Sequence, residues 1–409
     1  MTDEKTAGIV TVGSELVEGL RLDTNTAYIA RRVSRAGFKV IETTSVGDDV
    51  EHLAGVISRL SSRCDLVIVT GGLGPTHDDI TRDAASVAAG RALSSDSAII
   101  EQLSAVAARH ADAESRADVL TQALVLDGAE PLMPVTGTAP GQVLTTPGGS
   151  LVLLPGPPTE MAEMLDRVMA SYQGSTAEPR ELGVVGMPES DVQHAAQRAL
   201  AAFDRVQLAV LASPGDVRVV LMDDGAGEEG LEQAANAVAL EIGRACYTTS
   251  GETLAKATLS ALFQSGLTLV AAESCTGGLV SAALTDVSGA SGAFLGGVVA
   301  YANDVKIEAL DVPDALIAQY GAVSEEVAAM MAEGALLRFG ADVAISITGI
   351  AGPTGGTIDK PVGLVWYALA YPGMTHTTER RFPVGSRAAV RARAASVALD
   401  LVRRHALGD

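Results

Sequence analysis

Three glycine-rich turns and one serine–lysine pair carry the side chains of this sequence that can do chemistry. The first turn, Gly71-Gly72-Leu73-Gly74-Pro75-Thr76-His77-Asp78-Asp79-Ile80-Thr81, follows the strand-like run Asp65–Thr70. Glycines let backbone N–H groups approach a ligand, and the helix that follows offers its positive end to phosphate. Asp78 and Asp79 are hard oxygen donors for a divalent metal such as Mg2+; the alternative is a Gly-Pro turn with Asp as N-cap. Gly13–Gly19, with Glu15, and Pro155–Met161, with Glu160, follow other predicted strands and can converge on the same edge. Both acids also suit the first turn of a helix on electrostatic grounds alone.

The second turn, Glu273-Ser274-Cys275-Thr276-Gly277-Gly278, presents hydroxyls and amides together at a strand-to-helix corner, a cradle for phosphate or an oxyanion. Cys275 lies where a thiol pKa falls, but the nearest downstream histidine is His376, and packing is the simpler role for a small sulfur residue. The third turn, Ile347–Gly356, contains Thr348, Gly349 and Gly352. Between these turns stand Ser291 and Lys306. A serine hydroxyl needs a base, and a lysine serves when burial keeps its amine neutral. A strand between the two is expected to return the chain so that both reach one mouth; on spacing alone, a turn serine and a solvated helix lysine fit as well. Arg387, at the start of the last helix, is a cation for a phosphate or a solvated helix arginine.

The elements that must position these turns read as alternating strands and helices. Ala7–Gly13, Lys39–Val46 and Asp65–Thr70 are predicted strands, and Asn25–Gly37, Val50–Ser62 and Asp79–Gly90 predicted helices, a βαβ order that implies a mostly parallel sheet under helices. A linker is expected at Gln173–Pro179 and a small α+β unit after it. A third unit starts near Gly251, with strands at Leu267–Ala272, Phe294–Tyr301, Asp342–Thr348, Val362–Tyr371 and Thr375–Pro383 and a closing helix at Arg387–His405. The expected division is 1–173, 174–248 and 249–409.

Composition sets limits on function. The 409 residues carry a formal charge of −21, and hydrophobic residues make up 47% but aromatic ones only 3%, so aliphatic side chains must build the cores. The acid excess argues against nucleic acid as a partner, because phosphate-backbone recognition relies on clustered Lys and Arg. No run approaches the roughly 20 apolar residues of a membrane span, and no apolar run follows a basic start at the N-terminus, so no membrane partner and no signal peptide are expected. Three cysteines are too few and too scattered for a disulfide framework or a zinc site, and a cytoplasmic location is the expectation.

Taken together, Gly13–Gly19, Gly47-Asp48-Asp49, Gly71–Thr81, Gly137–Gly141 and Pro155–Met161 resemble the amino-terminal domain of the CinA (competence/damage-inducible protein A) family, which is similar to the molybdopterin-binding MoaB/MogA fold. The blocks Ala272–Gly278, Gly289–Phe294, Tyr301–Lys306, Gly321–Ser324, Ser346–Gly356 and Lys360–Gly363 resemble the family's carboxy-terminal domain, also found alone as the nicotinamide-nucleotide amidase PncC. The fold implied is α/β: a three-layer α/β amino-terminal domain, a small α+β middle domain and an α/β amidase domain.

The activity implied is hydrolysis of nicotinamide mononucleotide to nicotinate mononucleotide and ammonia, a salvage step that needs no cofactor. By position the resemblance gives Ser291 as nucleophile, Lys306 as general base, and Tyr301 and Thr348 as groups that orient substrate or nucleophile. Ser274, Thr276, Gly277, Gly278, Gly349 and Gly352 would bind polar or phosphate groups, and Glu273 would attract the pyridinium ring or cap its own turn. For the amino-terminal domain the resemblance implies a nucleotide-type ligand at Gly71, Gly72, Gly74, Thr76, Thr81 and Glu160, with Asp78, Asp79 and Thr81 in metal or phosphate roles. The alternatives are a metal-dependent ADP-ribose pyrophosphatase in that domain, or a non-enzymatic molybdopterin-binding module. A homodimer is also implied.

Overall fold

The computed structural model describes residues 5–109, 112–146, 148–172, 177–383 and 385–409. Contacts divide the chain into two compact units, residues 1–176 and 177–409.

Short runs of β-branched and aliphatic residues make the strands of the first unit; Leu66-Val67-Ile68-Val69-Thr70 is buried along its whole length, as a central strand covered on both faces must be. In chain order the elements are β1 (Thr6–Val12), α1 (Ser14–Val17), α2 (Asn25–Arg35), β2 (Lys39–Val46), α3 (Val50–Ser61), β3 (Leu66–Thr70), α4 (Thr81–Ala89), β4 (Leu93–Ser95), α5 (Ser97–Ala107), α6 (Ala113–Thr121), β5 (Leu124–Leu126), β6 (Glu130–Leu132), β7 (Gly141–Thr146), β8 (Gly149–Leu154) and α7 (Pro158–Met169). Six strands form one sheet in the order β2-β1-β3-β8-β7-β6, parallel from β2 to β8 and antiparallel beyond. Alternate residues of β1 and β3 face opposite ways: Val10, Val12, Val67 and Val69 pack with α3, while Ile9, Leu66 and Ile68 pack with α2 and α7. The result is three α/β layers.

The second unit contains β9 (Arg180–Val184), α8 (Glu189–Ala199), β10 (Val206–Ser213), β11 (Asp216–Asp223), α9 (Gly227–Ile242), β12 (Cys246–Thr248), α10 (Leu254–Ser265), β13 (Leu269–Glu273), α11 (Leu279–Thr285), β14 (Phe294–Val299), α12 (Asn303–Leu310), α13 (Asp314–Tyr320), α14 (Glu325–Phe339), β15 (Val343–Gly349), β16 (Leu364–Tyr371), β17 (Met374–Arg381) and α15 (Arg387–Ala406). A five-stranded sheet in the order β14-β13-β15-β16-β17 is parallel across β14, β13 and β15 and antiparallel beyond. One face packs on α10, α11 and α15, the other on α12, α13 and α14.

A four-stranded antiparallel sheet, β10-β11-β9-β12, has its own core with α8 and α9. The expected boundary at 248/249 is nevertheless not a gap between compact units. Val185 and Tyr247 join the core of the five-stranded sheet, and Arg403 and Arg218 donate to the carbonyls of Arg244 and Glu252 at 3.0 Å each. The expected linker at 173–179 lies largely outside the described residues. Among the described residues no helix is long and apolar enough to cross a membrane.

Candidate active site

The end of β13 sets the geometry. Glu273, fully buried, turns its carboxylate onto the start of α11 and accepts from the amides of Gly278 (3.0 Å), Val280 (3.1 Å) and Ser281 (2.8 Å) and from the Ser281 hydroxyl (2.7 Å). Four donors saturate the carboxylate, so Glu273 caps the helix and closes the turn rather than facing a ring. The turn is tight because Gly277 and Gly278 take φ of +59° and +94°, conformations that side-chain-bearing residues rarely adopt. Ser274 is thereby held at the corner, its amide donating to the Ile347 carbonyl at 2.9 Å.

Lys306 lies in the first turn of α12 and is 1% exposed. Its Nζ donates to the carbonyls of Ala300 (2.7 Å) and Tyr301 (3.2 Å) and to Ser274 Oγ (3.1 Å). No carboxylate is among these partners, and burial pulls the lysine pKa down to about 8. The two carbonyls can only accept. When Lys306 loses a proton, its remaining N–H groups stay with them and its lone pair faces the Ser274 hydroxyl. That is the arrangement of a nucleophile with its base.

The expectation for Ser291 is corrected here. Ser291 sits exposed in a 3-10 turn, Ala290–Gly292, just before β14. β14 runs parallel to β13, pairing Phe294 with Leu269 and Val299 with Glu273. Ser291 therefore lies where β13 begins and Ser274 where it ends, separated by roughly 15 Å of strand. A single intervening strand carries its two ends to opposite edges of a sheet, so it cannot return Ser291 to Lys306. The hydroxyl beside the lysine is that of Ser274.

The remaining predicted residues divide between mouth and scaffold. Arg387 donates to the Tyr301 hydroxyl (2.7 Å) and to the Gly352 carbonyl (2.9 Å), bringing Tyr301, Gly352 and a cation together beside the pair. Thr276 is fully buried, and its hydroxyl has no partner among the described residues. Thr348 Oγ1 donates to the Ala322 carbonyl at 2.7 Å and so fixes the loop before α14. A Cβ on Gly349 would meet the Leu364 carbonyl oxygen at 2.8 Å, so close strand packing accounts for that glycine. The Cys275 thiol is buried and its pKa is pushed up to about 12, which leaves it protonated and unreactive. Arg391 is an addition to the predicted set: it donates to the carbonyls of Cys275 (3.2 Å) and Thr276 (2.7 Å), clamping the turn that carries Ser274. Its one signal in the sequence is its place four residues after Arg387, on the same face of α15.

In the first unit the Gly71–Thr81 turn is held from within. Asp79 accepts from the amides of Gly74 (2.7 Å) and Thr76 (2.9 Å) and from the Thr76 hydroxyl (2.6 Å). Thr81 Oγ1 donates to the Gly71 carbonyl at 2.7 Å. Arg82, 4% exposed, donates to the carbonyls of Leu73 and Gly74 at 2.7 Å each. Gly71 is obligatory, since a Cβ would meet the Val12 carbonyl oxygen at 2.4 Å. Asp78 is exposed, with its pKa lowered chiefly by the nearby Thr76 hydroxyl, and Glu160 is half-buried beside Gly137, its pKa raised by burial and by Glu163. Asn25 lies at the same edge, donating to the Gly156 carbonyl at 2.8 Å, while its own carbonyl oxygen is buried and has no partner among the described residues. Among the described residues no group of three or more His, Cys, Asp or Glu side chains could hold a metal. Asp79 spends three of its acceptor positions on the turn itself, and Asp78 stands exposed beside it.

Comparison with known proteins places both units. Residues 251–406 match the family model "CinA C-terminal domain", and residues 8–173 match "Probable molybdopterin binding domain". A putative competence-damage inducible protein of Symbiobacterium thermophilum is 41% identical over 98% of this chain and 99% of its own. A CinA-like protein of Thermotoga maritima is 36% identical over 99% of both chains. The solved structure of the competence/damage inducible protein CihA from Agrobacterium tumefaciens is 39% identical over 38% of this chain and 94% of its own, with a TM-score of 0.37. With both domains matched in order and relatives aligned from end to end, the chain belongs to the CinA family.

Proposed function

We propose that the second unit is an amidase that hydrolyses nicotinamide mononucleotide to nicotinate mononucleotide and ammonia, with Ser274 as nucleophile and Lys306 as general base. The observation that carries this reading is the 3.1 Å approach of Ser274 Oγ to a buried, charge-unpaired lysine amine. The resemblance of the surrounding blocks to the nicotinamide-nucleotide amidases supports the substrate, and Arg387 at the mouth gives its phosphate a cationic partner.

Ser274 Oγ attacks the carboxamide carbon while its proton passes to neutral Lys306. The tetrahedral intermediate collapses as the Lys306 ammonium protonates the departing nitrogen, which leaves as ammonia. Water, deprotonated by Lys306, then attacks the ester; the acid is released and the proton returns to Ser274 Oγ. The amides of Cys275 and Thr276, next to the nucleophile, are the natural donors to the oxyanion, and such preorganised donors are commonly the largest single contribution to acyl-transfer catalysis. Every step uses the chain's own groups.

The test is product analysis after incubation with nicotinamide mononucleotide, its riboside, NAD and ADP-ribose, each with and without EDTA. Ammonia release confined to the mononucleotide and insensitive to EDTA is the expected result. Release of AMP from ADP-ribose with no ammonia from any substrate would overturn the reading. For the first unit we propose a nucleotide-type ligand at the edge formed by Gly71, Gly72 and Asn25, bound through backbone groups and the unpartnered Asn25 oxygen.

A further inference from the structure

The helix that carries Arg387 and Arg391 is held from outside the five-stranded sheet. The β10–β11 hairpin turns through Pro214-Gly215, and Gly215 adopts φ +90°. A Cβ placed there would meet Ser396 Oγ at 2.6 Å and the Cα of Arg393 at 3.0 Å. The hairpin tip thus rests directly on α15, against the Ser396 side chain and the backbone of Arg393. Behind the tip the hairpin is stiff. Asp216 accepts from the Tyr247 hydroxyl (2.7 Å) and from Arg218 Nε (2.9 Å), and Arg218 reaches the Glu252 carbonyl. Further along α15, Arg403 is buried against Asp400 and donates to the Arg244 carbonyl at 3.0 Å. Two parts of the four-stranded subdomain therefore hold one helix, whose opposite end reaches the Ser274–Lys306 site.

Resting on the amidase reading above, we propose that the β10–β11 hairpin is a positioning element of that site and Gly215 a positioning residue, setting the placement of Arg387 for the anionic group of the substrate. The geometry works as a lever. Arg387 lies nine residues before Ser396, about 14 Å along a helix axis, so a tilt of a few degrees at the tip moves the guanidinium by roughly 0.7 Å. That is enough to spoil a charge-assisted hydrogen bond to phosphate. Arg391 lies about half as far from the tip and moves correspondingly less, which leaves the nucleophile turn nearly in place. The subdomain, which contributes no group to the chemistry, acts on affinity for the phosphate.

The experiment compares Gly215→Ala, Ser396→Ala and the double variant in the full chain. Gly215→Ala forces the tip off the helix and is expected to raise KM for nicotinamide mononucleotide at least about fivefold while kcat stays within about twofold. Turnover of the phosphate-free riboside, where measurable, is expected to keep its KM. Adding Ser396→Ala removes the 2.6 Å hydroxyl contact and is expected to recover part of the loss. In parallel, calorimetric titration with inorganic phosphate reads the same site without turnover, and its Kd is expected to follow the KM pattern. A lowered Tm with unchanged KM and phosphate Kd, no recovery in the double variant, or no phosphate binding by the wild type would each overturn the proposal. Absence of ammonia release by the wild type with the phosphate pattern intact would instead overturn the amidase reading and leave the lever standing.

Discussion

A base that is a buried lysine makes a quantitative claim about pH. Burial brings Lys306 from an ordinary value of 10.5 to about 8, a shift equivalent to about 3 kcal/mol between its two protonation states. At pH 7 about a tenth of the molecules then hold a neutral amine and at pH 9 about nine-tenths, so kcat is expected to rise roughly tenfold across that range and level off above it. A lysine left at its solvent pKa would be neutral in only about 3 in 10,000 molecules at pH 7, and its rate would climb about a hundredfold by pH 9 with no plateau. Ammonia release at saturating nicotinamide mononucleotide, measured from pH 6 to 10, separates the two. The same shift has a thermodynamic signature. The folded-state pKa is lowered, so between pH 8 and 10.5 the unfolded chain binds more protons at this position, and the contribution of Lys306 to stability rises with pH through that window. A rate that is flat or falls between pH 7 and 9, or one that climbs a hundredfold without levelling, would refute the assignment of Lys306 as a desolvated base.

Other consequences follow from the hydrogen bonds that hold the turns. Glu273→Gln replaces one acceptor oxygen with an amide that opposes the N–H groups of α11; stability is expected to fall by about 1–3 kcal/mol in urea unfolding, with a loss of kcat as Ser274 shifts. Arg82→Met leaves the carbonyls of Leu73 and Gly74 unpaired in a buried loop, and about 2 kcal/mol or more is expected to disappear from the first unit, read as a lower Tm, with ammonia release per folded molecule unchanged. Lys306→Arg keeps the charge but cannot act as a base near neutral pH, so ammonia release is expected to be lost at every pH up to 10.

Much of the architecture was legible in the sequence because periodicity and punctuation agreed. The runs at 39–46 and 66–70 and the helix starting at Asn25 coincide with apolar patterns closed by Gly, the helix starting at Val50 with one opened by the N-cap Asp49, and all four occupy nearly the expected residues. The segment between Arg91 and Thr146, with α5, α6 and four short strands, was not legible: three-residue strands such as β4 and β5 are set by their pairing rather than by local pattern. The site was legible as a set of turns but not as a pairing. Sequence order put Ser291 nearer to Lys306 than Ser274, and only the parallel register of β13 and β14 shows which serine shares an edge with the lysine. Glu273 and Asp79 looked like ligand groups because exposed turns favour acids. Both carboxylates are consumed by backbone donors a few residues away, a fate that depends on turn geometry and not on residue type.

The pairing of Ser274 with Lys306 is the centre of the account, and one comparison addresses it directly: ammonia release from nicotinamide mononucleotide by purified Ser274→Ala and Ser291→Ala, each checked for a folded state by its Tm. Ser274→Ala is expected to lose about a thousandfold or more in kcat, as removal of an acyl-transfer nucleophile does, while Ser291→Ala stays within about twofold of wild type. A Ser274→Ala enzyme that still turns over at the wild-type rate, or a Ser291→Ala enzyme that is dead while folded, would contradict it.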